Sequence, residues 1–276
     1  MASLKDRIAD ILIENEHEAI TLANYCDSMA DKYLDKINSF GDFIMSKSKG
    51  SLEDRLEYVL SKDDFLDLNI MLNELRDINE NKYNMIVALV DKATSVKDYI
   101  NVFALLYAHL YLYPLIADIG SFSNDSASRG YKAFTRKNKA LKLDYMGYIG
   151  GDDRDIRKVV EDTIGRLLLI TYSSLTNDLA VSKRNEMYIT KSVKLYKNNI
   201  RNNIYTSSNY TFNQGILKAM QDTEYSKYKY CAILDSRTSE ICKGMNNNVY
   251  KIEDAEVGVN FPPMHHHCRS YAIPIK

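Results

Sequence analysis

The chain has 276 residues, of which 45% are hydrophobic and 26% are charged, and its net charge is −1 at pH 7. This composition is that of a folded protein of one or two domains, and it excludes an intrinsically disordered chain. The near-neutral net charge also argues against a free nucleic-acid-binding protein, which would carry a strong excess of basic residues.

The charges are divided unevenly along the chain. Residues 1–118 hold 12 basic and 21 acidic side chains, whereas residues 119–276 hold 24 and 16. The net charges of the two parts are therefore −9 and +8. This division predicts two surfaces with different partners, and the alternative is a chance excess of charges on solvated faces.

Three bulk features bear on where the protein works. The N-terminal residues MASLKDRIADIL lack a basic segment followed by an apolar run, so we expect no secretory signal. The four cysteines are too scattered for a disulfide framework, which favours synthesis in a reducing cytoplasm. Residues 99–117 hold no charged side chain, but polar residues, four tyrosines and Pro114 favour a buried core helix over a transmembrane helix.

Apolar side chains recur at helical spacing through the first part of the chain. The pattern predicts a long amphipathic helix from Ser3 to about Ser46, which begins at the pair Ser3 and Asp6 and holds Cys26 as a packed core thiol. Similar pairs of Ser and Asp predict three further helices, near residues 52–60, 62–92 and 96–117. Together these helices form an acidic helical domain over residues 1–118.

Residues 119–151 differ in composition, and we expect a long, basic, mostly irregular linker or arm there. Serine, asparagine and glycine are frequent, and six basic side chains alternate with aromatic ones such as Tyr131 and Phe134. Contact with DNA phosphates and bases is one interpretation. A loop held against a neighbouring subunit by its aromatic side chains is the other, and we favour it.

A helical region follows over residues 152–229. A helix capped by Asp152 and Asp153 comes first, and two others are predicted from about Glu186 to Asn203 and from Thr211 to Gln221. Four basic residues share one face of the second of these helices: Lys191, Lys194, Lys197 and Arg201. That face is either solvated or a contact surface for DNA or an acidic partner.

The last segment, residues 230–276, holds three of the four cysteines, three of the five histidines and three of the four prolines. Turn residues flank the short run Val249–Ile252, which predicts a small module of β-hairpins. The predicted fold class is therefore mainly α, with long helices followed by a small β-containing C-terminal module.

Eleven residues of this module are spaced as in a known motif. They are Asp235, Arg237, Thr238, Cys242, Gly258, Asn260, Pro262, Pro263, His265, Cys268 and Arg269. In this order they resemble the C-terminal motif of phage head-morphogenesis minor capsid proteins, the Mu F-like minor head proteins. Many members of that family carry Cys where this chain has Ser239 and Ser270, and Pro where it has His266.

The resemblance implies a structural minor capsid protein at the portal vertex of a phage head, made in the host cytoplasm and located in the virion. The implied roles are head assembly, DNA packaging or DNA delivery, with no turnover. The implied partners are the portal protein, the major capsid protein and packaged DNA, without a membrane. Because some relatives join this module to a toxin domain, a toxin-related or hydrolytic enzyme is one alternative. A small zinc-dependent nucleic-acid-binding protein is the other.

The module also offers ligands for a metal. Cys242, His265 and Cys268 supply two sulfurs and one nitrogen, which suit a tetrahedral zinc ion. Ser239 interrupts the first ligand pair, and three candidates for the fourth ligand stay open: His267, Cys231 and Asp235. The alternative is a metal-free hairpin in which both thiols pack. A hydrolase with a thiolate and His265 as base would need an oxyanion hole, and no residue pattern marks one.

Asp235 and Arg237 are two residues apart and would face the same side of a strand. Either they form a charge-assisted pair, or the carboxylate caps amides of the turn. Both arrangements would order Thr238 and Ser239 at the start of a helical turn, which is a scaffolding role.

Overall fold

A computed structural model describes the chain over residues 3–60, 64, 66–141, 179–223 and 225–275. These residues are mainly helical, and a small antiparallel sheet lies near the C-terminus, so the predicted fold class is confirmed. The chain divides into two compact units. Unit 1 combines Met1–Tyr25, Ala117–Ile156 and Asn199–Lys276, and unit 2 combines Cys26–Ile116 and Arg157–Asn198. The domains predicted from the sequence were consecutive segments, whereas these units combine separate ones.

The helices have the following bounds: α1 Leu4–Lys47, α2 Leu52–Leu56, α3 Leu66–Ile78, α4 Glu80–Val90, α5 Val96–Tyr107, α6 Tyr113–Thr135, α7 Leu179–Gln221 and α8 Glu240–Met245. A π-helical turn, Ala108–Leu112, joins α5 to α6. The strands are β1 Lys227–Ala232, β2 Val249–Lys251 and β3 Ser270–Ile275, and a 3₁₀ turn, Ile252–Asp254, follows β2.

Three of the four helix starts predicted from Ser and Asp three residues apart are confirmed, and the fourth, at Ser61, lies outside the described residues. The Ser3 hydroxyl accepts from the Asp6 amide at 3.1 Å while the Asp6 carboxylate accepts from the Ser3 amide at 3.2 Å. The pairs that precede α2 and α5 form the same capping box. Each pair satisfies amides that the first turn of a helix leaves without partners.

The predicted helix over residues 62–92 is wrong in one respect, because it is two helices. The Asn79 side chain accepts from the Lys82 amide at 3.0 Å and starts α4. Asparagine forms this cap readily, and a cap competes with helix continuation. The helix predicted near 52–60 is shorter than expected and ends at Leu56, after which Val59 pairs with Ser95.

The irregular linker predicted for residues 119–151 is wrong up to Thr135, because α6 extends that far. Its buried positions include Ser123, Ser126, Ala127 and Gly130. These residues are small or polar, so the segment lacked the apolar period that indicates a helix. The remainder of that prediction beyond residue 141, and the helix predicted to begin at Asp152, lie outside the described residues.

The break predicted between Asn203 and Thr211 is also wrong, because α7 runs through it without interruption. Thr206, Ser207, Ser208 and Asn209 are buried within the helix. Polar residues of this kind favour caps and turns in the absence of tertiary contacts. Here other elements of unit 1 supply hydrogen-bond partners for three of them, Thr206, Ser208 and Asn209.

Unit 2 has an apolar core built from α3, α4, α5 and the second half of α1. The rings of Phe40 and Phe103 lie 4.8 Å apart at its centre, and Cys26 is buried, as predicted. Tyr99, Ile100 and Leu106 are buried too, so α5 is the core helix that the sequence predicted. Within the described ranges, no helix has the length and apolar character needed to cross a membrane.

Unit 1 packs the sheet against helices. The strand order is β2-β1-β3, and all pairs are antiparallel, with Tyr228 opposite Tyr250 on one side and opposite Pro274 on the other. Buried side chains from α1, α6, α7 and the sheet form one cluster: Ile8, Leu12, Ala133, Phe212, Ile216, Met220, Tyr228, Cys231, Phe261, Tyr271 and Ala272. Three strands need such a helical partner, because a small sheet cannot bury enough apolar surface alone.

A buried polar group joins the three helices of unit 1. The Asn15 amide of α1 donates to the hydroxyls of Ser126 on α6 and Ser208 on α7, both at 2.9 Å. The Ser126 hydroxyl in turn donates to the Ser208 carbonyl at 2.8 Å. At the end of α6, Arg7 donates to the Ala133 and Phe134 carbonyls at 2.9 and 3.0 Å, which caps the helix.

Two glycines allow α6 and α7 to touch through their backbones. A Cβ atom placed on Gly130 would lie 1.9 Å from the Phe212 carbonyl oxygen, and one placed on Gly215 would lie 1.9 Å from the Ala127 carbonyl oxygen. Both obstacles are helix backbone, so no side-chain rotation can relieve them. The separation of the two helices in unit 1 therefore depends on glycine at both positions.

We predict opposite effects for two substitutions on α6. Gly130→Ala should lower the free energy of unfolding by on the order of 3 kcal/mol, because the helices must move apart. Gly120→Ala is the matched control, since a Cβ there meets no atom within 4 Å. It should raise the free energy of unfolding by about 0.5–1 kcal/mol through the better helix propensity of alanine. Urea unfolding followed by circular dichroism measures both, and equal stabilities for the two variants would contradict the prediction.

Candidate functional site

The C-terminal module is attached to α7 through two asparagines on successive turns. The side-chain amides of Asn209 and Asn213 both donate to the Ser270 carbonyl, at 3.0 and 3.1 Å. The Asn213 side-chain oxygen accepts from the Ala272 amide at 3.2 Å. Asn213 thus bonds to a carbonyl and an amide of β3 as a neighbouring strand would. All four residues are buried, which strengthens these contacts and makes their loss costly.

The turn after β1 is built by the first motif residues. The Thr238 hydroxyl accepts from the Asp235 amide at 2.8 Å and donates to the Ile233 carbonyl at 2.6 Å. The Asp235 carboxylate accepts from the Arg237 amide at 2.8 Å. Of the two arrangements that the sequence left open for Asp235, the structure therefore places the carboxylate on an amide of the turn.

The charged partners of this turn come from elsewhere in unit 1. The Arg269 guanidinium, next to β3, pairs with the Asp235 carboxylate. This ion pair, together with the Arg237 amide, lowers the pKa of Asp235 to about 2. The Arg237 guanidinium instead donates to the Glu16 carboxylate of α1 at 3.0 Å. Asp235 and Arg237 therefore do not form an ion pair with each other, which leaves the other of the two alternatives, the carboxylate as a cap on turn amides.

Cys242 is positioned by the first turn of α8. Ser239 caps this short helix, and its hydroxyl accepts from the Cys242 amide at 3.2 Å. At the other end, the Asn246 side chain accepts from the Ala232 amide at 3.0 Å, and the Asn247 amide donates to the Tyr230 carbonyl at 2.8 Å. These bonds fix α8 against β1 and direct the Cys242 side chain into the module, where it is buried.

His265 and Cys268 lie on the loop that leads into β3. The Cys268 amide donates to the His265 carbonyl at 3.2 Å, which closes a tight turn. The His265 Nδ1 lies 2.6 Å from the His266 carbonyl oxygen. Because a carbonyl can only accept, Nδ1 is the donor in this contact, and Nε2 is the nitrogen with a lone pair available to a metal.

The two sulfurs and this nitrogen meet in one cluster. The Cys242 Sγ lies 3.6 Å from the Cys268 Sγ and 3.2 Å from the His265 Nε2. All three ligand atoms lie within 4.8 Å of one another. Ser239 adds its hydroxyl 2.7 Å from the same His265 nitrogen. The sequence-predicted trio is thus brought together, with the hydroxyl of Ser239 beside it.

The cluster favours one thiolate. Several hydrogen bonds lower the pKa of Cys242 to about 4, and the largest contribution comes from the Cys268 thiol. The same hydrogen bond and burial raise the pKa of Cys268 well above its ordinary value. The Tyr230 hydroxyl, from β1, lies 3.3 Å from the Cys242 sulfur and donates to it. Of the two thiols, Cys242 is therefore the one that ionises more readily, because the Tyr230 hydroxyl donates to its sulfur and the Cys268 thiol lies beside it.

The three candidates for a fourth ligand are engaged elsewhere in the described part of the chain. His267 contacts the Asn202 side chain and its ring lies 5.0 Å from that of Tyr205. Cys231 is on the opposite face of β1, in the core cluster with the helices. Asp235 pairs with Arg269. None of them lies within the group formed by Cys242, His265 and Cys268.

The remaining motif residues shape the loop between β2 and β3. The Asn260 side chain accepts from the Glu256 amide at 2.8 Å and donates to the Asp254 carbonyl at 2.8 Å. Gly258 has a φ of +81°, a conformation that favours glycine. Pro262 and Pro263 are buried beside Phe261 and are joined by a cis peptide bond. These residues order the loop that carries His265.

The four basic residues predicted to share a face of α7 differ in their surroundings. Lys194 is exposed, Lys197 pairs with Asp31 of unit 2, and Arg201 is partly buried. Lys191 lies on α7, and its side chain is outside the described residues. Their role in binding DNA or a partner stays a prediction.

Sequence reasoning missed Tyr230 and the two asparagines that hold β3. Tyr230 is fully buried, although its hydroxyl faces only a polar cluster. Asn209 and Asn213 are spaced four residues apart, which places them on one face of a helix. That spacing was a usable signal, but residues 204–210 were assigned to a break between helices, so the face was not recognised.

The Asp235–Arg269 ion pair predicts a specific pH dependence. A carboxylate whose pKa falls from about 3.9 in the unfolded chain to about 2 in the folded one stabilises the protein above the higher value. This contribution is lost as the pH falls toward the lower value. Asp235→Asn should therefore lower the melting temperature at pH 7, and the difference from the native chain should shrink as the pH falls below about 4. In an Arg269→Gln background the same substitution should have a weaker pH dependence, because only the hydrogen bonds within the turn then lower the pKa of Asp235. An effect of Asp235→Asn in the native background that is the same at every pH would contradict the assignment.

The comparison with protein families agrees with the motif. Residues 171–273 match the family model described as Phage Mu protein F like protein. No curated protein and no solved structure matches the chain. The matched stretch includes the whole of α7, the sheet except its last residues, and all of the motif residues. The C-terminal region of this chain is therefore similar to the Mu F-like minor head proteins, a family of structural proteins in phage head morphogenesis.

Proposed function

We propose that this chain is a minor head protein that binds the portal protein and acts in head assembly, DNA packaging or DNA delivery. The observation that carries the proposal is the family match over residues 171–273. On this proposal the protein is located in the virion, at the portal vertex, and contacts the major capsid protein and packaged DNA from there. The chain then works by binding, without turnover.

The geometry of the module supports a binding function over a hydrolytic one. Cys242 and His265 are close enough for a thiolate and its base, but Cys242 is only 3% exposed. A substrate could not reach the sulfur without unfolding the loop that covers it. The polar groups of Asp235, Thr238 and Asn260 are bonded to backbone groups of their own turns. These motif residues stabilise a shape, as an assembly protein requires.

The division of charge supports contact with two kinds of partner. Residues 119–276 carry the excess of basic side chains, and residues 1–118 carry the excess of acidic ones. Packaged DNA is a dense array of phosphates, so a basic surface next to it releases counterions and gains affinity. Lys194 is exposed and ready for such a contact, whereas Lys197 would first have to leave Asp31.

We predict that the full chain co-purifies with the portal ring of the phage or prophage that encodes it when the two are co-expressed. Shells of major capsid protein assembled without a portal are the control, and they should retain much less of the chain. The measurement is the molar ratio of the two proteins after size separation. Equal recovery with both assemblies, or recovery with neither, would refute the portal assignment.

DNA binding by the full chain should weaken steeply between about 50 and about 200 mM salt, as counterion release requires. Replacing Lys191, Lys194, Lys197 and Arg201 by Gln should flatten the plot of log affinity against log salt. The slope should change by roughly one unit for each of these side chains that binds a phosphate in the native chain. Lys194→Gln alone should remove about one unit, because this lysine is exposed.

A variant with the same change in total charge serves as the control. It replaces four exposed lysines of the acidic part by Gln: Lys49, Lys82, Lys92 and Lys97. This control should keep the slope of the native chain. If both quadruple variants flatten the slope equally, the effect reflects total charge, and the proposed DNA-contact face on α7 is wrong.

A further inference from the structure

We propose that Cys242, His265 and Cys268 bind one zinc ion, with a water molecule held by Ser239 as the fourth ligand, and that this ion locks the C-terminal module. The site goes beyond the proposed role in the phage head and does not depend on it. The proposal is carried by geometry, by the direction of the donor atoms and by the position of the ligands in the fold.

Two of the three distances between ligand atoms are close to those of a tetrahedral site. With zinc–sulfur bonds of about 2.3 Å and zinc–nitrogen bonds of about 2.0–2.1 Å, two sulfurs lie about 3.8 Å apart, and a sulfur and a nitrogen about 3.5–3.6 Å apart. The observed separations are 3.6 Å between the two sulfurs and 3.2 Å between the Cys242 sulfur and His265. Shifts of a few tenths of an ångström on these two edges would therefore admit the ion. The third edge, from His265 to Cys268, lies within 4.8 Å.

The donor atoms point in the required directions. The His265 Nδ1 donates to the His266 carbonyl, so the lone pair on Nε2 faces the Cys242 sulfur. Histidine ligands of zinc are commonly oriented by such a bond from their other nitrogen. The Tyr230 hydroxyl donates to the Cys242 sulfur, as a residue outside the ligand shell does for a metal-bound thiolate.

The fourth position lies beside Ser239. Its hydroxyl is 2.7 Å from the His265 nitrogen and accepts from the Cys242 amide. A serine oxygen at this place is well situated to hold a water on the ion. Cys268 also lines a cavity of about 380 Å³ in unit 1, together with Arg237, His267 and Arg269. Of the three ligands, Cys268 is the one that borders this cavity.

The ligands come from two separate parts of the module. Cys242 belongs to α8, while His265 and Cys268 belong to the loop before β3. An ion would cross-link these parts, and so add to the Asp235–Arg269 ion pair, which joins the same regions. A module this small gains stability from such a cross-link, because the site forms only when the chain folds around the ion.

Elemental analysis of the full chain tests the proposal. The protein is purified in the presence of a reducing agent and without a nickel column, then dialysed against zinc and freed of excess metal. We expect about one equivalent of zinc per chain, and less than about a tenth of an equivalent would overturn the site. Replacement by Co²⁺ should give cobalt–thiolate charge-transfer absorption, and its absence would also overturn the site.

Matched variants locate the ion. Cys242→Ser, Cys268→Ser and His265→Gln should each lose the zinc and the cobalt absorption. Cys231→Ser, a buried cysteine outside the cluster, should keep both, and so should the double variant His266→Gln with His267→Gln. The proposal is overturned if Cys242→Ser and Cys268→Ser both retain zinc, or if only the double histidine variant loses it. Either result would assign the metal to the exposed histidines.

One variant tests the fourth position even if the others fail to fold. Ser239→Cys supplies a third thiolate and should raise the affinity for zinc by about tenfold or more, as a change of ligand from water to sulfur does. The cobalt charge-transfer absorption should rise with the added sulfur. An unchanged affinity and an unchanged spectrum would show that Ser239 does not face the ion, and would overturn the proposed geometry.

Discussion

The backbone contact between α6 and α7 at Gly130 and Gly215 is the constraint on which unit 1 depends. At this separation the Ser126 hydroxyl reaches the Ser208 carbonyl, and Asn15 can bond to both serines. Ser208 lies beside Asn209 on α7, so the contact that fixes Ser208 also fixes the asparagines that hold β3. A wider separation would leave these buried polar groups without partners, at a cost of about 1–3 kcal/mol for each group.

The motif of the C-terminal module is best understood as a set of turn-forming residues around a small cluster. Thr238 and Asp235 order the turn after β1, Asn260 orders the loop after β2, and Arg269 ties the two regions together. The cluster of two cysteines and a histidine then lies between segments that are already positioned. This arrangement explains why the motif is spread over a long stretch of sequence: each residue stabilises a different bend of one compact module.

The sequence predicted the features that depend on local pattern. The capping pair of Ser3 and Asp6, the buried helix α5 and the strand at Val249 all follow from spacing and residue type. The His-x-x-Cys spacing predicted the cluster because a short spacing brings two ligands together in any turn. What failed depends on tertiary contact. The serines and glycine of α6 resemble a linker until a second helix lies against them, and no local rule pairs Asn213 with residues so far along the chain.

One consequence of the asparagine contacts concerns how copies of this protein avoid one another. In the edge strand of an antiparallel sheet, the amides and carbonyls of alternate residues point away from the neighbouring strand. If these groups are free, the edge can pair with strands from other molecules. On β3 the outward carbonyl of Ser270 and the outward amide of Ala272 are bonded to α7, and the next outward position is Pro274, which has no amide hydrogen. The β3 edge therefore offers few free backbone groups to a foreign strand, which disfavours edge-to-edge aggregation at this side of the sheet.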